Sequence, residues 1–162
     1  MTTESEVRLH SCCFTGHRPE KLSQPESEII VALDREIHAA IDDDFVTFIS
    51  GMSRGVDIWA AEIVLRLRAE NCPLRLICAV PFEGFDRRWP AAWKKRYHDI
   101  LAAADRVEFV SPAYSPASFQ LRNEWMVDRS ARVIAVFSGE NGGTKNTINY
   151  AARKGVQVIN VI

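Results

Sequence analysis

The hydrophobic residues of this chain fall into two kinds of segment that alternate along its length. Short runs rich in β-branched and aromatic residues predict strands over 7–16, 45–50, 74–81, 106–111, 132–138 and 156–162. Segments with apolar residues at every third or fourth position predict helices over 25–43, 57–70, 93–104, 115–131 and 144–155. We expect the helix at 115–131 to open with a serine N-cap and a proline in its first turn.

Strands that alternate with helices predict βαβ units and a parallel sheet. We therefore expect an α/β fold: a single Rossmann-like domain over 1–162, with a doubly wound, mostly parallel sheet and helices on both faces. In such sheets, ligands bind outside the carboxyl ends of the strands, near the point where the strand order reverses. The loops that directly follow strands are therefore the places to look for a binding site.

The composition is that of an ordinary globular domain, with 47% hydrophobic and 25% charged residues. A net charge of -1 gives no overall attraction for nucleic acid, so any anion site must be local. We recognise no signal peptide and no apolar stretch long enough to span a membrane, and we expect a cytoplasmic protein. The four cysteines lack CxxC spacing, and neighbouring Cys12 and Cys13 should point to opposite faces of a strand. This pattern predicts reduced thiols and no metal site.

The segment FISGMSRGVDIWAAE (48–62) places two glycines, a serine and an aspartate between a strand and a helix. Residues 51–55 match the G-x-S-x-G elbow of serine hydrolases, in which Ser53 would be the nucleophile. The only histidine after Ser53 is His98, and it falls inside a predicted helix rather than in a loop after a late strand. The hydrolase interpretation is therefore disfavoured.

An anion-binding site explains the same segment better. Gly51 and Gly55 permit positive φ and a close approach of ligand, and the free amides that begin the next helix attract negative charge. Ser53 can donate its hydroxyl to an anion, and Asp57 can cap the helix or accept a hydrogen bond from a ribose hydroxyl. The competing interpretation is a glycine-rich turn with an aspartate cap.

Two more loops after predicted strands have similar chemistry. The segment SGENGGTKNT (138–147) joins a strand to a helix, and its spacing matches neither the P-loop nor G-x-G-x-x-G. It can present amides and hydroxyls from Gly142, Gly143, Thr144 and Thr147. The first strand ends in the polar group Thr15, Gly16, His17 and Arg18. Three such loops favour one shared ligand site over three unrelated turns.

The helix predicted over 115–131 carries a further set of candidate residues. Phe119, Arg122, Asn123 and Met126 share one face because they are three or four residues apart. Arg122 and Asn123 can clamp a phosphate and form hydrogen bonds with a polar edge of the ligand. The alternative is a solvated arginine on an amphipathic helix.

Basic and aromatic residues are interleaved over 85–97. Aromatic rings beside cations can stack bases and hold a nucleic-acid backbone. The alternative, which we favour, is a lid segment in which Trp89 and Trp93 pack down while the basic side chains stay in water.

The chain resembles the YpsA-like family of the SLOG superfamily, related to the DprA and LOG proteins, in CCFTGHRPEKL, SGMSRGVDIWAAE, VPFEGFDRRWP, RNEWMVDRSARVIAVFSG and GGTKNTINYAARKG. These segments span nearly the whole chain. The resemblance implies a Rossmann-like fold with a nucleotide or nucleotide-derived ligand at the glycine-rich loops, and analogy with relatives implies a possible homodimer. It implies no established reaction.

Two relatives of that family give sharper expectations. The segment around residues 50–62 is similar to the S-G-x-A-x-G-I-D-x-x-A-H stretch of DprA, which binds single-stranded DNA, but Glu62 stands at the histidine position. LOG proteins release a base from a nucleoside 5′-monophosphate, and their signature pairs an arginine on a helix with P-G-G-x-G-T-x-x-E. Arg122 resembles that arginine and is the candidate catalytic residue, whereas Thr147 stands where the glutamate is needed. Glu83 or Asp57 would have to supply the carboxylate.

We therefore predict binding of a nucleotide or nucleotide-derived small molecule, by a sensor or by an enzyme that hydrolyses an N-glycosidic bond. The alternative is a DprA-like protein that binds single-stranded nucleic acid. The sequence identifies no cofactor. The predicted ligand-binding residues are Thr15, Gly16, His17, Arg18, Gly51, Ser53, Gly55, Asp57, Arg122, Asn123, Gly142, Gly143, Thr144 and Thr147.

Overall fold

The computed structural model describes residues 3–162. Its strands are β1 (Ser11–Gly16), β2 (Thr47–Ser50), β3 (Arg75–Val80), β4 (Arg106–Phe109), β5 (Arg132–Val136) and β6 (Gln157–Asn160). Its α-helices are α1 (Glu4–Leu9), α2 (Glu26–Asp42), α3 (Val56–Ala69), α4 (Ala91–Ala103), α5 (Ser118–Asp128) and α6 (Gly143–Arg153). A short 3-10 helix at Pro19–Lys21 follows β1.

The six strands form one parallel sheet in the order β4-β3-β2-β1-β5-β6. The chain moves outward from β1 to β4, returns across the sheet through α5, and continues from β5 to β6 on the other side of β1. Strand order therefore reverses between β1 and β5, and a crevice forms outside their carboxyl ends. The sheet and its flanking helices confirm the predicted doubly wound, Rossmann-like α/β fold.

Helices cover both faces of the sheet. Helices α2, α3 and α4 contribute to one apolar cluster with side chains such as Phe14 and Phe48, and α5 and α6 contribute to a second. Cys12 belongs to the first cluster and Cys13 to the second, as their predicted opposite orientations require. Burial raises the pKa of Cys13 to about 12, so this thiol stays protonated and packs as an apolar side chain.

The prediction of strand over 7–16 is wrong in its first part, because α1 occupies Glu4–Leu9 and β1 begins only at Ser11. Thr3 and Glu6 form a capping box: the Thr3 hydroxyl accepts from the Glu6 amide at 3.2 Å, and the Glu6 carboxylate accepts from the Thr3 amide at 2.9 Å. Two satisfied amides stabilise this short helix. The T-x-x-E pattern of residues 3–6 is the sequence signature of this capping box.

The predicted start of the helix at 115–131 is also wrong. Helix α5 begins at Ser118, with Ala117 at the N-cap position and no side-chain cap among the described residues. The Ser118 amide and hydroxyl both donate to the Ser115 carbonyl, at 3.1 and 2.8 Å, and close a separate turn before the helix. This turn uses the serine and proline that the sequence indicated as a helix opening.

Within residues 3–162, none of the helices combines the length and the apolar character that a membrane crossing demands.

Candidate functional site

A cavity of about 490 Å³ lies at the carboxyl edge of the sheet, where strand order reverses. The loops after β1, β2 and β5 form its polar side, and α5 with the loops after β3 and β4 forms the rest. It lies within the size range of small-molecule sites. Its walls combine backbone corners that contain glycine, several cations and a group of aromatic rings.

The first corner is the start of α6. Gly142 occupies the N-cap position with a φ of 144°, and no side chain among the described residues caps the helix. The first helical hydrogen bond is that of the Asn146 amide to the Gly142 carbonyl, so the amides of Gly143 and Thr144 have no intrahelical acceptor. No acidic residue lies in the first turn. This corner presents the positive end of a helix dipole to the cavity.

The second corner is the start of α3. Gly55 occupies the N-cap position with a φ of 93°, and a Cβ there would come within 2.9 Å of Pro19. Gly16 at the end of β1 packs just as closely, since a Cβ would lie 2.5 Å from Val56 Cγ2. These two glycines let the β1 loop, the β2 loop and α3 approach one another.

Asp57 distinguishes this corner from the first. Its side chain is buried in the first turn of α3, and Oδ2 accepts from the Ser53 amide at 3.2 Å. Oδ1 is buried without a hydrogen-bond partner among residues 3–162. Burial raises the pKa of Asp57 to about 6, although the Arg122 cation and the Ser53 amide oppose the shift.

Arg122 reaches this corner from α5, on the opposite layer of helices. Its Nη1 donates to the Gly51 carbonyl, its Nε donates to Asn123 Oδ1 at 2.8 Å, and its Nη2 lies 3.5 Å from Ser53 Oγ. Burial lowers the pKa of Arg122, and the Asp57 carboxylate partly restores it. The alternative of a solvated arginine is therefore wrong, because Arg122 is only 5% exposed.

His17 connects the loops after β1 and β5. Its imidazole is buried, its Nε2 accepts from the Ser138 amide at 3.3 Å, and its ring lies 5.7 Å from that of Phe137. Burial lowers the pKa of His17, so the neutral ring predominates at pH 7. His17 thus holds two cavity loops together without adding a positive charge.

Aromatic residues form the wall that the sequence analysis largely missed. Phe82, Phe85, Trp89, Tyr114 and Phe119 all border the cavity. Successive edge-to-face contacts join their rings, with centroid distances of 5.0 Å for Phe85–Trp89 and 5.9 Å for Phe82–Phe119. Only Phe119 had been placed on the site by its helical spacing. The others lie in irregular loops after β3 and β4, where no periodicity marks them.

The structure brings most of the predicted ligand-binding residues to this cavity. Those that border it are Thr15, Gly16, His17, Arg18, Ser53, Asp57, Arg122, Asn123, Gly142, Gly143 and Thr144. Gly51 and Gly55 lie just behind the wall, the former as acceptor for Arg122 and the latter as N-cap of α3. Thr147 is fully buried and donates to the Gly143 carbonyl at 2.8 Å. Lys21, Arg54 and Asn141 also border the cavity and were not predicted.

The serine-hydrolase arrangement is absent from the described residues. Ser53 Oγ lies near Arg122, whereas His98 is on α4 with its Nε2 2.8 Å from Asp86. His98 is therefore not placed to take a proton from Ser53, and the Nε2 of His17, which borders the same cavity, accepts from the Ser138 amide instead.

The segment 85–97 takes only in part the form that we favoured from sequence, because Arg96 is partly buried and donates to the Glu62 carboxylate at 3.0 and 2.6 Å. Trp89 packs on Tyr97 at 5.3 Å and Trp93 on Trp59 at 6.3 Å, while Arg87 and Arg88 are exposed. Its first part nevertheless contributes to the site, since Phe85 and Trp89 border the cavity.

Solved structures with a similar fold include two DNA processing proteins A (DprA). The Streptococcus pneumoniae protein gives a TM-score of 0.65 at 17% identity, covering 94% of this chain and 50% of that chain. The Helicobacter pylori protein, described in a single-stranded DNA binding mode, gives 0.64 at 20% identity, covering 96% of this chain and 66% of that chain. This chain thus spans about half of the first and two thirds of the second, and the likeness shows the fold.

Sequence relatives are closer. A UPF0398 protein from Halalkalibacterium halodurans is 31% identical over 125 residues, covering 76% of this chain and 66% of the relative. A UPF0398 protein from Bacillus thuringiensis is 30% identical over 154 residues, covering 90% of this chain and 84% of the relative. The model of the YspA SLOG family (YpsA) matches residues 12–158. A match over nearly the whole chain shows that this protein belongs to the YspA SLOG family.

Proposed function

We propose that this cavity binds a nucleotide or a nucleotide-derived small molecule. The observation that carries the proposal is that one cavity has free helix amides at the start of α6 and an aromatic wall on α5 and its neighbouring loops. Amides at a helix start suit a phosphate, and aromatic faces suit a base. A nucleotide has both groups within one molecule.

Charges around the cavity support an anionic ligand. Arg18, Lys21 and Arg54 border it, and Arg18 and Lys21 are exposed to solvent. Arg54 is already paired with Glu20 at 2.7 Å. Because the whole chain carries a net charge of -1, this local excess of cations distinguishes the cavity from the rest of the surface.

Thermal unfolding with added ligands tests the proposal. The panel comprises nucleoside monophosphates, NAD and ADP-ribose. A ligand at 100 times its Kd should add about 2.7 kcal/mol of stability, which for a domain of this size raises the midpoint by roughly 5–10 °C. No shift with any member would contradict the proposal.

Gly143→Asp is the matched variant for this test. A Cβ at Gly143 would lie 3.8 Å from Asn123 Nδ2, an ordinary contact, so the fold should accept the change. The new carboxylate would place negative charge at the start of α6 and should abolish the ligand-induced shift. Gly143→Asn is the control, since it has nearly the same size without the charge. If the ligand shifts the unfolding midpoint equally in both variants, the ligand phosphate does not lie at the start of α6.

Turnover is a separate question within the same proposal. Thr147 replaces the glutamate of LOG proteins and is buried within α6, while Asp57 borders the cavity. Release of free base from a nucleoside 5′-monophosphate, lost in Asp57→Asn, would identify an N-glycosidic hydrolase. Binding without release would identify a sensor.

A second candidate function is binding of single-stranded nucleic acid, as in the DprA protein from Helicobacter pylori. The observation that favours it is the exposure of Arg87 and Arg88 beside Phe85 and Trp89, which border the cavity. This function requires affinity for an oligonucleotide that falls steeply with salt and weakens when both arginines become alanine. The matched control is Lys95→Ala, which removes an exposed cation on α4 that is paired with Asp99.

A further inference from the structure

We infer that the free carboxylate oxygen of Asp57 accepts a hydrogen bond from a ribose hydroxyl of the ligand, so that the site selects ribonucleotides over deoxyribonucleotides. This inference rests on the proposed function and fixes which end of the ligand lies at which corner of the cavity.

The carboxylate of Asp57 has a partner for only one of its two oxygens among the described residues. Oδ2 accepts from the Ser53 amide, while Oδ1 is buried and has no partner within residues 3–162. The side chain borders the cavity and is only 6% exposed. A buried acceptor without a donor is costly, and a donor supplied by a ligand removes that cost.

Asp57 also makes the two glycine-containing corners unequal. The first turn of α3 carries this carboxylate, whereas the first turn of α6 carries no acidic residue. A phosphate beside Asp57 would meet a like charge, whereas one at α6 meets the free amides of a first turn without an acidic residue, and Glu140, two residues before Gly142, is exposed to solvent. The phosphate therefore lies at α6, and the group that lies at α3 must be a neutral donor.

In a nucleotide, the neutral donors adjacent to the phosphate are the sugar hydroxyls. Arg122 keeps the carboxylate ready to accept them, because its own donors are directed to Gly51, Asn123 and Ser53 and its charge favours the ionised form of Asp57. Arg122 is thus a positioning residue for the sugar in this arrangement. The base then extends toward the aromatic rings, of which Phe85 lies 6.0 Å from the Arg122 guanidinium.

The test compares the Kd values of the adenosine, guanosine, cytidine and uridine 5′-monophosphates with those of their 2′-deoxy and 3′-deoxy forms by calorimetry. A hydrogen bond to a charged group corresponds to about a 10- to 100-fold difference in Kd. We expect wild-type protein to lose that much affinity when one of the two hydroxyls is removed. In Asp57→Ala, the ribo- and deoxy-forms should bind within about threefold of each other, whereas Asp57→Asn, whose amide can still hydrogen-bond to a hydroxyl, should show a smaller preference than the wild type.

Other results separate the two proposals. Equal binding of ribo- and deoxy-forms by the wild-type protein would overturn the inference and leave the proposed function intact. A preference for ribonucleotides that persists in Asp57→Ala would also overturn it. Failure of every nucleotide to bind would contradict the proposed function itself.

Discussion

Gly16→Ala is expected to destabilise the protein by about 3 kcal/mol, the upper part of the range for overpacking a rigid interior. The new Cβ would lie 2.5, 2.6 and 2.8 Å from Cγ2, Cβ and Cγ1 of Val56. Val56 is β-branched, 1% exposed and fixed in the first turn of α3, so it cannot rotate away. Helix α3 would have to move from the sheet and disturb the corner that holds Asp57.

Urea unfolding measures this effect, with Gly143→Ala as the matched control. A Cβ at Gly143 meets only Asn123 Nδ2 at 3.8 Å, so this glycine can be replaced at a cost below about 1 kcal/mol. The double variant Gly16→Ala, Val56→Ala should recover part of the loss, because it removes both Cγ atoms from the contact. If Gly16→Ala is as stable as the control, β1 and α3 do not approach as closely as described.

Removing the charge of Asp57 by Asp57→Asn is expected to stabilise the protein at pH 8 by at most about 3 kcal/mol, less the cost of the buried amide NH2 that takes the place of the unpartnered Oδ1. The pKa of Asp57 is raised by burial to about 6, from an unfolded value of about 3.9, and each unit corresponds to about 1.4 kcal/mol. The folded state therefore holds this proton more tightly than the unfolded state. Stability from this group is complete below about pH 4 and is lost as pH rises through 6.

The gain in Asp57→Asn should consequently depend on pH. It should be about 1.4 kcal/mol larger at pH 8 than at pH 5, since the wild-type carboxyl is mostly protonated in the folded state at pH 5. Urea unfolding at pH 5 and pH 8 measures the difference, with exposed Asp99→Asn as the control. A difference in stability between wild type and Asp57→Asn that is the same at pH 5 and pH 8 would mean that the pKa of Asp57 is not raised in the folded protein.

Together, these expectations describe a site that is retained at a cost to stability. The same substitution, Asp57→Asn, that stabilises the free protein at high pH should weaken discrimination between ribose and deoxyribose. Such a trade-off is common where function requires a buried, unsatisfied group.

The sequence was most informative where hydrophobic residues were regularly spaced or where glycines marked the end of an element. The βαβ alternation predicted the sheet, and the glycines near 51–55 and 142–143 marked two loops that reach one cavity. Helical spacing placed Phe119, Arg122, Asn123 and Met126 together, and all four border it. These signals are local, so one sequence is sufficient to read them.

Tertiary contacts determined what the sequence did not predict. The rings of Phe82 and Tyr114 meet at 5.5 Å from loops that follow different strands, and no local pattern records that approach. Thr147 was expected to present its hydroxyl, but the helix turn directs it to the Gly143 carbonyl. Whether Asp57 would act as a cap or keep a free oxygen depended on Arg122, which lies on the opposite layer of helices.

Amide NMR during titration with the tightest-binding nucleotide tests the central claim most directly. If the ligand phosphate lies at the start of α6 in the shared cavity, the largest shift changes should occur at Gly143 and Thr144, with further changes at His17 and Ser53. Changes confined to residues 85–97, with these four amides unmoved at saturation, would show that the nucleotide binds elsewhere and would contradict the account.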